Sequence, residues 1–577
     1  MKPFTDINGG DYHLKPLGLP HNYLYDDESP DQVLQNLGNA SVFSVKTLCA
    51  AIQTKECTIT VIKQYIQGYE NSPSNKKIMH RDGWPALYYA VERNSPELVS
   101  YLLQNGFDPS EQHESFDVPL LAFAIIHGHR DAIDTTGITK VLLAFGISPK
   151  VIPEDMWIKF LDTPSESPPS KNILSGLFSA QKSESDWCEP ALRCLLAKSL
   201  NLTHRYLLHL ANKLRTPNSR QAQIAKANKM TELSKLPYYL IGQRPASSLV
   251  MNSVYAYVAL GGKGPLVMAF AGASGHGKTE MARAIGDLLS VKTTVIDCAS
   301  CTTVWGMLGP TSGWKDSERG SQLNNFLAEN TGVRSVVFLD EFDKTKKEIR
   351  DALLVMTEKG EYQDRRNNVG VDCSKTIWII ATNLGTDKIA EYYTKHLEEL
   401  SDKKRDRADM KPLQNILKRL YKNEFGAPFT GRINLYVPFL PFTSPECAVV
   451  LHKFALQFAS EVREPIDFRP DINRLIGHCC LTFVDDGAVC TELTNTFYNK
   501  DLGARSLANA MKEIAQQFVT EYSSLDGLVT ETINSDNLQE FIIRRFQVSD
   551  DAHEVGVFAK TKESAEGSED EVDEDEE

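Results

Sequence analysis

The sequence predicts an α/β domain preceded by an all-α region of short repeats. Three apolar runs predict buried strands of the α/β domain, and they span Leu266–Ala271, Ser335–Leu339 and Thr376–Ala381. Upstream, between residues 41 and 150, apolar positions return after 34 residues, which is typical of stacked helical repeats. Polar residues follow each predicted strand, so the chemistry of the chain is expected where the three strands end.

The composition fits a chain of about three to four globular domains, since it has 577 residues of which 42% are apolar. The net charge is −14, and nine acidic residues without a basic one stand in Glu566–Glu577. Such a tail repels itself and has few apolar side chains to bury, so we expect it to be disordered. An acidic chain does not attract the phosphate backbone, which argues against nucleic acid as a partner.

The sequence argues against a membrane span, a mitochondrial presequence and a zinc site. No run of about 18 apolar residues is present, so neither a membrane span nor a membrane partner is expected. The first 30 residues hold five acidic residues and no arginine, unlike a mitochondrial presequence. We therefore expect the protein in the cytoplasm or the nucleus. The 11 cysteines, including Cys298 and Cys301, are expected to be reduced and structural, because no second pair completes a zinc site.

The repeats have the pattern of paired short helices. Leu87 and Leu121 are 34 positions apart, as are Ala90 and Ala124, close to the period of about 33 in ankyrin units. Small alanines let two helices approach, and leucine pairs fill the layer between units. The region resembles the ankyrin family, with a degenerate earlier unit at Leu48–Ile66. The resemblance implies a face that binds a partner protein, and an assembly spacer is the alternative.

A glycine-rich loop follows the first predicted strand and precedes a predicted helix, Glu280–Leu289. Its residues are Gly272, Ala273, Ser274, Gly275, His276, Gly277, Lys278, Thr279 and Glu280. The glycines let backbone N–H groups wrap phosphates, Lys278 reaches the β and γ phosphates, and the Thr279 hydroxyl holds Mg²⁺. His276 stands at a variable position and is expected to be tolerated there rather than catalytic. ATP and Mg²⁺ are the expected cofactors.

Two carboxylates, Asp340 and Glu341, end the second predicted strand. Asp340 is expected to bind Mg²⁺ through water, and Glu341 to orient and polarise the attacking water. The alternative, a cap for the next helix, is discounted because a phosphate-binding loop lies about sixty residues upstream. Asn383 follows the third strand, so its side chain is expected between the other two strand ends, near the γ-phosphate.

From Tyr238 to Phe546 the chain is similar to the Clp-type branch of the AAA+ ATPases, especially the second motor of the ClpB family. The resemblance rests on six motifs in the family's order: Leu240–Gln243 at the adenine, Gly277–Ala284 as Walker A, Asp340 with Glu341 as Walker B, Asn383 as sensor 1, Arg432 as arginine finger, and Gly503–Arg505 as sensor 2. It implies that Ile241 and Gly242 contact adenine. It also implies that Arg432 reaches the nucleotide of a neighbouring subunit in a homo-hexameric ring. Arg505 would sense nucleotide from a small C-terminal α/β lid domain.

The resemblance further implies a loop that grips substrate, located between the second strand and Walker B. The family pattern is Gly-Tyr-Val-Gly, and this chain has Gly313 and Trp314, followed by Lys315 and Asp316. An aromatic side chain on a glycine-flexed loop presses on many side chains without reading their identity. Burial of Trp314 in the subunit body is the alternative. Residues 364–370 stand where the family has its second pore loop.

Together these features predict an ATP-dependent unfoldase or disaggregase that threads unfolded or aggregated polypeptide through a ring pore. The overall plan resembles the ankyrin-fused mitochondrial ClpB homologues of animals. The alternative is a nucleotide-controlled oligomeric switch or scaffold whose ankyrin face binds a partner. An unfoldase that feeds a protease is less favoured, because no peptidase-docking loop is found. The predicted domains are an N-terminal segment at 1–40, ankyrin-like repeats at 41–150, a helical and linker region at 151–235, the large AAA+ domain at 236–442, the small C-terminal domain at 443–550 and a disordered acidic tail at 551–577.

Overall fold

The structure is a computed structural model. It describes residues 43–69, 84–112, 117–130, 133–167, 184–214, 218–314, 317–525, 538–549 and 552–560. The predicted N-terminal segment at 1–40 and the acidic run Glu566–Glu577 lie outside these residues, as do Lys315 and Asp316. None of the helices in the described ranges combines the length and the apolar character that crossing a membrane requires.

In its described part, the repeat region consists of three pairs of short helices. They are α1 (Val45–Gln53), α2 (Ile59–Gln67), α3 (Ala86–Glu92), α4 (Pro96–Gln104), α5 (Leu120–Arg130) and α6 (Thr136–Ala144). Their small and leucine positions, such as Ala90, Leu102 and Leu142, are fully buried. Gly106 and Gly146 follow α4 and α6 with φ of 86° and 91°, the left-handed conformation that ends a helix. The predicted paired helices are confirmed, including the degenerate first unit.

The region predicted as helical and linker packs against both of its neighbours. Its helices are α7 (Pro190–Ser199), α8 (Leu202–Lys213) and α9 (Ser219–Ala227). Leu207 and Leu208 belong to the hydrophobic core of the repeats, whereas Leu202 and Leu210 belong to the core of the C-terminal domain. Helix α8 therefore joins two cores rather than acting as a spacer between them.

The α/β domain is built on a five-stranded parallel sheet with the order β2-β3-β6-β1-β7. Its strands, together with a separate hairpin of β4 and β5, are β1 (Leu266–Ala271), β2 (Thr293–Asp297), β3 (Ser335–Asp340), β4 (Glu361–Gln363), β5 (Gly370–Asp372), β6 (Thr376–Thr382) and β7 (Leu435–Pro438). The three predicted strands are almost wholly buried, since helices cover both faces of a parallel sheet. Ala271 lies beside Thr382, and Asp297 beside Asp340. The residues after these strands consequently meet at one edge.

The helices of this domain surround the sheet. They are α10 (Leu236–Tyr239), α11 (Arg244–Ala259), α12 (Lys278–Leu289), α13 (Val304–Leu308), α14 (Gln322–Glu329), α15 (Lys347–Glu358), α16 (Thr386–His396), α17 (Asp402–Arg405) and α18 (Lys411–Thr430). Helix α18 is kinked at Gly426, whose φ is 81°. Pro428 follows the kink and cannot donate a helical hydrogen bond, so the last turn is redirected before Arg432.

The C-terminal domain packs three helices on a small mixed sheet. Its elements are α19 (Ser444–Arg463), β8 (Cys479–Phe483), α20 (Asp486–Phe497), α21 (Ala504–Ser524), β9 (Gln539–Ser549) and β10 (Ala552–Ala559). Strand β9 lies between β8, which is parallel to it, and β10, which is antiparallel. The predicted boundary at 551 is wrong, because residues 552–559 form an edge strand. This strand precedes the acidic run and belongs to the domain, because its Val555 and Val557 are buried.

Removing residues 551–577 is expected to lower the free energy of unfolding by about 3–6 kcal/mol, since two buried valines are lost. Removing residues 561–577 alone is expected to leave it unchanged. Denaturant titration followed by circular dichroism measures both. Equal stabilities of the two shortened proteins would contradict the assignment of β10 to the domain core.

Candidate nucleotide-binding site

The glycine-rich loop connects β1 to the N-terminus of α12, as the sequence predicts. Gly272, Gly275 and Gly277 have φ of 150°, 73° and 88°, conformations that side-chain-bearing residues rarely adopt. A Cβ at Gly275 would lie 2.1 Å from the carbonyl oxygen of Leu502. The loop is therefore fixed in shape at the positive end of a 12-residue helix, which favours a bound phosphate.

Lys278 ties this loop to the end of β6. Its ammonium donates to the carbonyl oxygens of Gly272 (2.5 Å) and Ala273 (3.0 Å) and to Oδ1 of Asn383 (2.8 Å). Burial lowers the pKa of Lys278 to about 8, and the charge of Asp340 opposes this effect. The predicted Walker A lysine and sensor 1 asparagine thus lie together.

The carboxylate of Asp340 faces the loop from the end of β3. Its Oδ2 accepts a hydrogen bond from Thr279 Oγ1 at 3.3 Å, and its Oδ1 accepts one from the backbone N–H of Glu341 at 2.9 Å. Glu341 is exposed and has φ of 49°, so the chain turns sharply after the strand. No group of three or more His, Cys, Asp or Glu side chains suited to a metal occurs in the described ranges. A hydroxyl and one carboxylate suit Mg²⁺, which keeps waters and phosphate oxygens as its other ligands.

The small C-terminal domain touches the loop through the segment predicted as sensor 2. The backbone N–H of Ala504 donates to the carbonyl oxygen of Gly275 at 3.0 Å. Arg505 is exposed at the first turn of α21, and its charge is one of those that lower the pKa of Lys278. Arg505 therefore lies close enough to act electrostatically on the loop of its own chain.

His276 packs between the two domains. Its ring stacks on Phe442 with 5.0 Å between centroids, and its Nδ1 lies 2.9 Å from the carbonyl oxygen of Ser274. Gly503 has φ of 54°, and a Cβ there would lie 2.9 Å from the His276 ring. Burial lowers the pKa of His276. The sequence predicted only a tolerated residue here, because its partners, Phe442 and Gly503, are distant along the chain.

The predicted adenine segment runs beside the loop. A Cβ at Gly277 would lie 2.4 Å from Cδ2 of Leu240, so this leucine covers the loop directly. Ile241 is half-buried against the core of the small domain, and Gly242 N–H donates to Tyr206 Oη at 3.3 Å. The described contacts thus place the segment between the loop and helix α8.

Two of the predicted site residues, Glu280 and Arg432, form ion pairs with side chains outside the glycine-rich loop. Glu280 pairs with Lys453 of α19 at 3.7 Å, and both side chains are more than half exposed. Arg432 pairs with Glu358 of α15 at 2.5 Å and donates to the carbonyl oxygen of Pro428. Among the described residues, no hydrogen bond or ion pair connects Arg432 to the loop of its own chain.

Trp314 lies on the surface, with 61% of its residue area exposed, and Gly313 has φ of 93° with open space around it. Trp305 of α13 is 50% exposed and contacts Trp314 edge to face, with 5.1 Å between ring centroids. Trp305 cannot be identified from the sequence, because a tryptophan in a five-residue helix has no periodic signal.

The hairpin β4–β5 holds the predicted second pore loop beside these tryptophans. Arg365 donates to the carbonyl oxygen of Gly309, in the segment that leads to Trp314, at 3.1 Å. Asp364 is buried at the base of the loop, and hydrogen bonds from Arg366 lower its pKa to about 2 despite burial. The carboxylate is therefore ionised at neutral pH and fixes the turn.

Two known families match segments of the chain. Residues 265–436 match the AAA domain family, Cdc48 subfamily, and residues 87–135 match the ankyrin repeats. The chain carries an AAA domain preceded by ankyrin repeats. The AAA domain match covers the glycine-rich loop, Asp340, Glu341, Asn383 and Arg432.

The relatives of the chain include a chaperone protein and a disaggregase. The chaperone protein ClpB of Chlamydia caviae is 27% identical over 315 residues, which are 53% of this chain and 33% of that protein. The mitochondrial disaggregase of Bos taurus is 24% identical over 311 residues, which are 49% of this chain and 43% of that protein. The chain thus spans less than half the length of these relatives.

A solved structure of Hsp104 in its closed state with ATPγS and FITC casein is 16% identical to this chain. The match has a TM-score of 0.41 and covers 89% of this chain and 69% of that chain. A likeness at this TM-score adds nothing to the assignment of the AAA domain.

The Gly503→Ala variant is expected to lose about 1–3 kcal/mol of unfolding free energy, from the left-handed backbone and the contact with His276. In a His276→Ala background the loss should be smaller, because the ring is absent while the backbone strain remains. Denaturant titration of the four proteins gives the coupling between the two sites. Strictly additive losses would contradict the packing of Gly503 on His276.

Proposed function

We propose that the protein is an ATP-dependent unfoldase or disaggregase of the Clp type. The observation that carries this proposal is the cluster at one edge of the sheet, where Lys278 donates a hydrogen bond to Asn383 and the neighbouring Thr279 donates one to Asp340. The relatives named ClpB and mitochondrial disaggregase support the same class of activity.

ATP would be held by the loop N–H groups and Lys278, and Mg²⁺ by Thr279 and Asp340. The bound nucleotide supplies the phosphoryl group that water attacks. Glu341 leaves β3 directly after Asp340 and has no salt bridge within the described residues, so its carboxylate is free to orient water. Asn383, whose Oδ1 accepts a hydrogen bond from Lys278, would lie near the γ-phosphate.

The polypeptide contact proposed here is the tryptophan pair, Trp305 and Trp314. Exposed aromatic rings that touch each other offer a large apolar surface without a sequence-specific pattern of hydrogen bonds. This is the property that a motor needs to pull on varied unfolded segments.

The position of Arg432 supports the further proposal of a homo-hexameric ring. Its bonds to Glu358 and Pro428 hold the guanidinium outside its own nucleotide site. A neighbouring subunit would then receive this charge at its transferring phosphoryl group. ATP turnover is therefore expected to depend on protein concentration.

Glu341→Gln is expected to bind ATP normally while turnover falls at least 100-fold, because water is no longer polarised. Lys278→Ala is expected to lose binding itself. Steady-state ATPase assays with and without casein, together with binding titrations, measure both. Glu348→Gln is the matched control, since Glu348 is also an exposed glutamate and none of the hydrogen bonds that form the cluster involves it.

Normal turnover by Glu341→Gln would remove Glu341 from the chemistry. A wild-type protein that binds ATP but hydrolyses it negligibly, with no response to casein, would contradict the unfoldase and favour the nucleotide-controlled scaffold.

Trp314→Ala and Trp305→Ala are each expected to lower the rate of casein-stimulated unfolding several-fold while basal ATPase stays within about twofold, because the rings contact substrate and not nucleotide. Trp305→Phe retains an aromatic ring and should retain most of the activity. Unfolding of a fluorescent substrate protein measures the effect. Wild-type unfolding by the Trp305→Ala variant would remove Trp305 from the proposed contact.

A further inference from the structure

Helix α8 lies between the repeats, the AAA domain and the small C-terminal domain. Leu202, Tyr206 and Leu210 recur every four residues and share the hydrophobic core of the small domain. Leu207 and Leu208, on another side of the helix, share the core of the repeats. One helix of 12 residues is thus packed against both halves of the chain.

The N-terminal end of α8 is joined to the small domain by a buried ion pair. Arg205 is only 1% exposed, and its Nη2 lies 2.6 Å from Oδ1 of Asp486 at the start of α20. Oδ2 of Asp486 accepts a hydrogen bond from the backbone N–H of Leu202 at 2.5 Å. His452 of α19 bonds to Thr203 at 2.8 Å. This end of the helix is therefore fixed to two helices of the small domain.

The C-terminal end of α8 is joined to the AAA domain. Lys213 Nζ lies 2.9 Å from Asp402 of α17, and Arg244 at the start of α11 donates to the carbonyl oxygen of Lys213 at 2.6 Å. Arg244 also pairs with Asp406. The helix accordingly spans from the small domain to the large one.

Between these two ends, Tyr206 bonds to the adenine segment. Its Oη accepts a hydrogen bond from the backbone N–H of Gly242 at 3.3 Å. Gly242 has φ of 71°, and a Cβ there would lie 2.8 Å from Phe442 and 2.9 Å from Glu446. Tyr206 is buried, so water does not replace a lost hydrogen bond easily. The adenine segment therefore contacts Tyr206, the glycine-rich loop and the small domain.

We propose that α8 is a strut that positions the adenine segment and the small domain for nucleotide binding, with Tyr206 as a positioning residue. The inference rests on the proposed function, because it takes the cluster around Lys278 as an ATP site. Its consequence is that nucleotide affinity depends on the helical region that connects the ankyrin repeats to the AAA domain. Conversely, nucleotide binding stabilises α8.

The first test compares Tyr206→Phe with wild type in titrations with ADP carrying an N-methylanthraniloyl group. Loss of one buried hydrogen bond is expected to weaken binding roughly 2- to 10-fold. KM for ATP should rise by a similar factor while kcat stays unchanged, because Tyr206 does not touch the reacting atoms.

Tyr88→Phe is the matched control. Tyr88 is also buried in the N-terminal half and donates to the carbonyl oxygen of Val118 at 3.0 Å, but this bond lies within the repeats. Tyr88→Phe is expected to bind the fluorescent ADP as wild type does. A purely structural role of Tyr206 would instead give equal behaviour of the two variants.

The second test is hydrogen exchange of the Glu341→Gln variant with and without ATP. Amides in residues 202–213 are expected to exchange several-fold more slowly with ATP, although α8 holds none of the predicted nucleotide ligands. If ATP leaves the exchange of these amides unchanged and the two tyrosine variants bind the fluorescent ADP equally well, the proposed role of α8 is overturned. The proposed ATP site is not affected by that result. Failure of the wild-type protein to bind nucleotide, or binding that survives Lys278→Ala, overturns the proposed site and the strut together.

Discussion

The ammonium of Lys278 is the centre on which the arrangement of the candidate site depends. It is buried at the edge of the sheet, where its bonds to loop carbonyls and to Asn383 connect β1 with β6. Burial of an ammonium disfavours its charged form, and nearby carboxylates such as Asp340 oppose this. The parallel sheet makes the arrangement possible, because it brings the ends of strands that are distant in sequence to one edge.

The second constraint is the contact between the loop and the small domain. Gly275 and Gly503 each leave no room for a side chain, and Ala504 bonds directly to the loop. The stack of His276 on Phe442 lies in the same contact. A change in the loop therefore reaches the small domain through packed atoms rather than through a flexible connection, which suits a domain that responds to nucleotide.

The repeats enter the same network through helix α8. Arg205 and Asp486 form a buried ion pair. Removing one partner of such a pair lowers the free energy of unfolding by about 3–5 kcal/mol, because the other charge is left buried and unpaired. Burial by itself raises the pKa of Asp486, but the charges of Arg205 and His452 and the hydrogen bonds from Arg205 and Leu202 together outweigh burial, so the pKa is lowered. The pair thus remains ionised at neutral pH, and it fixes where the N-terminal half meets the C-terminal half.

The sequence by itself determined the features that depend on local pattern. The strand–loop–helix order around Lys278, the carboxylates after β3, Asn383 after β6 and the paired helices of the repeats were all readable, because short-range spacing specifies them. Only the tertiary structure decided which distant residues meet. The positions of Trp305 against Trp314, of His276 between Phe442 and Gly503, of strand β10 and of Tyr206 on Gly242 follow from tertiary packing, whether the partners are near in the chain, as Trp305 and Trp314 are, or far apart, as His276 and Gly503 are. Such contacts leave no periodic trace in either segment, since each side chain satisfies a partner that the local sequence does not contain.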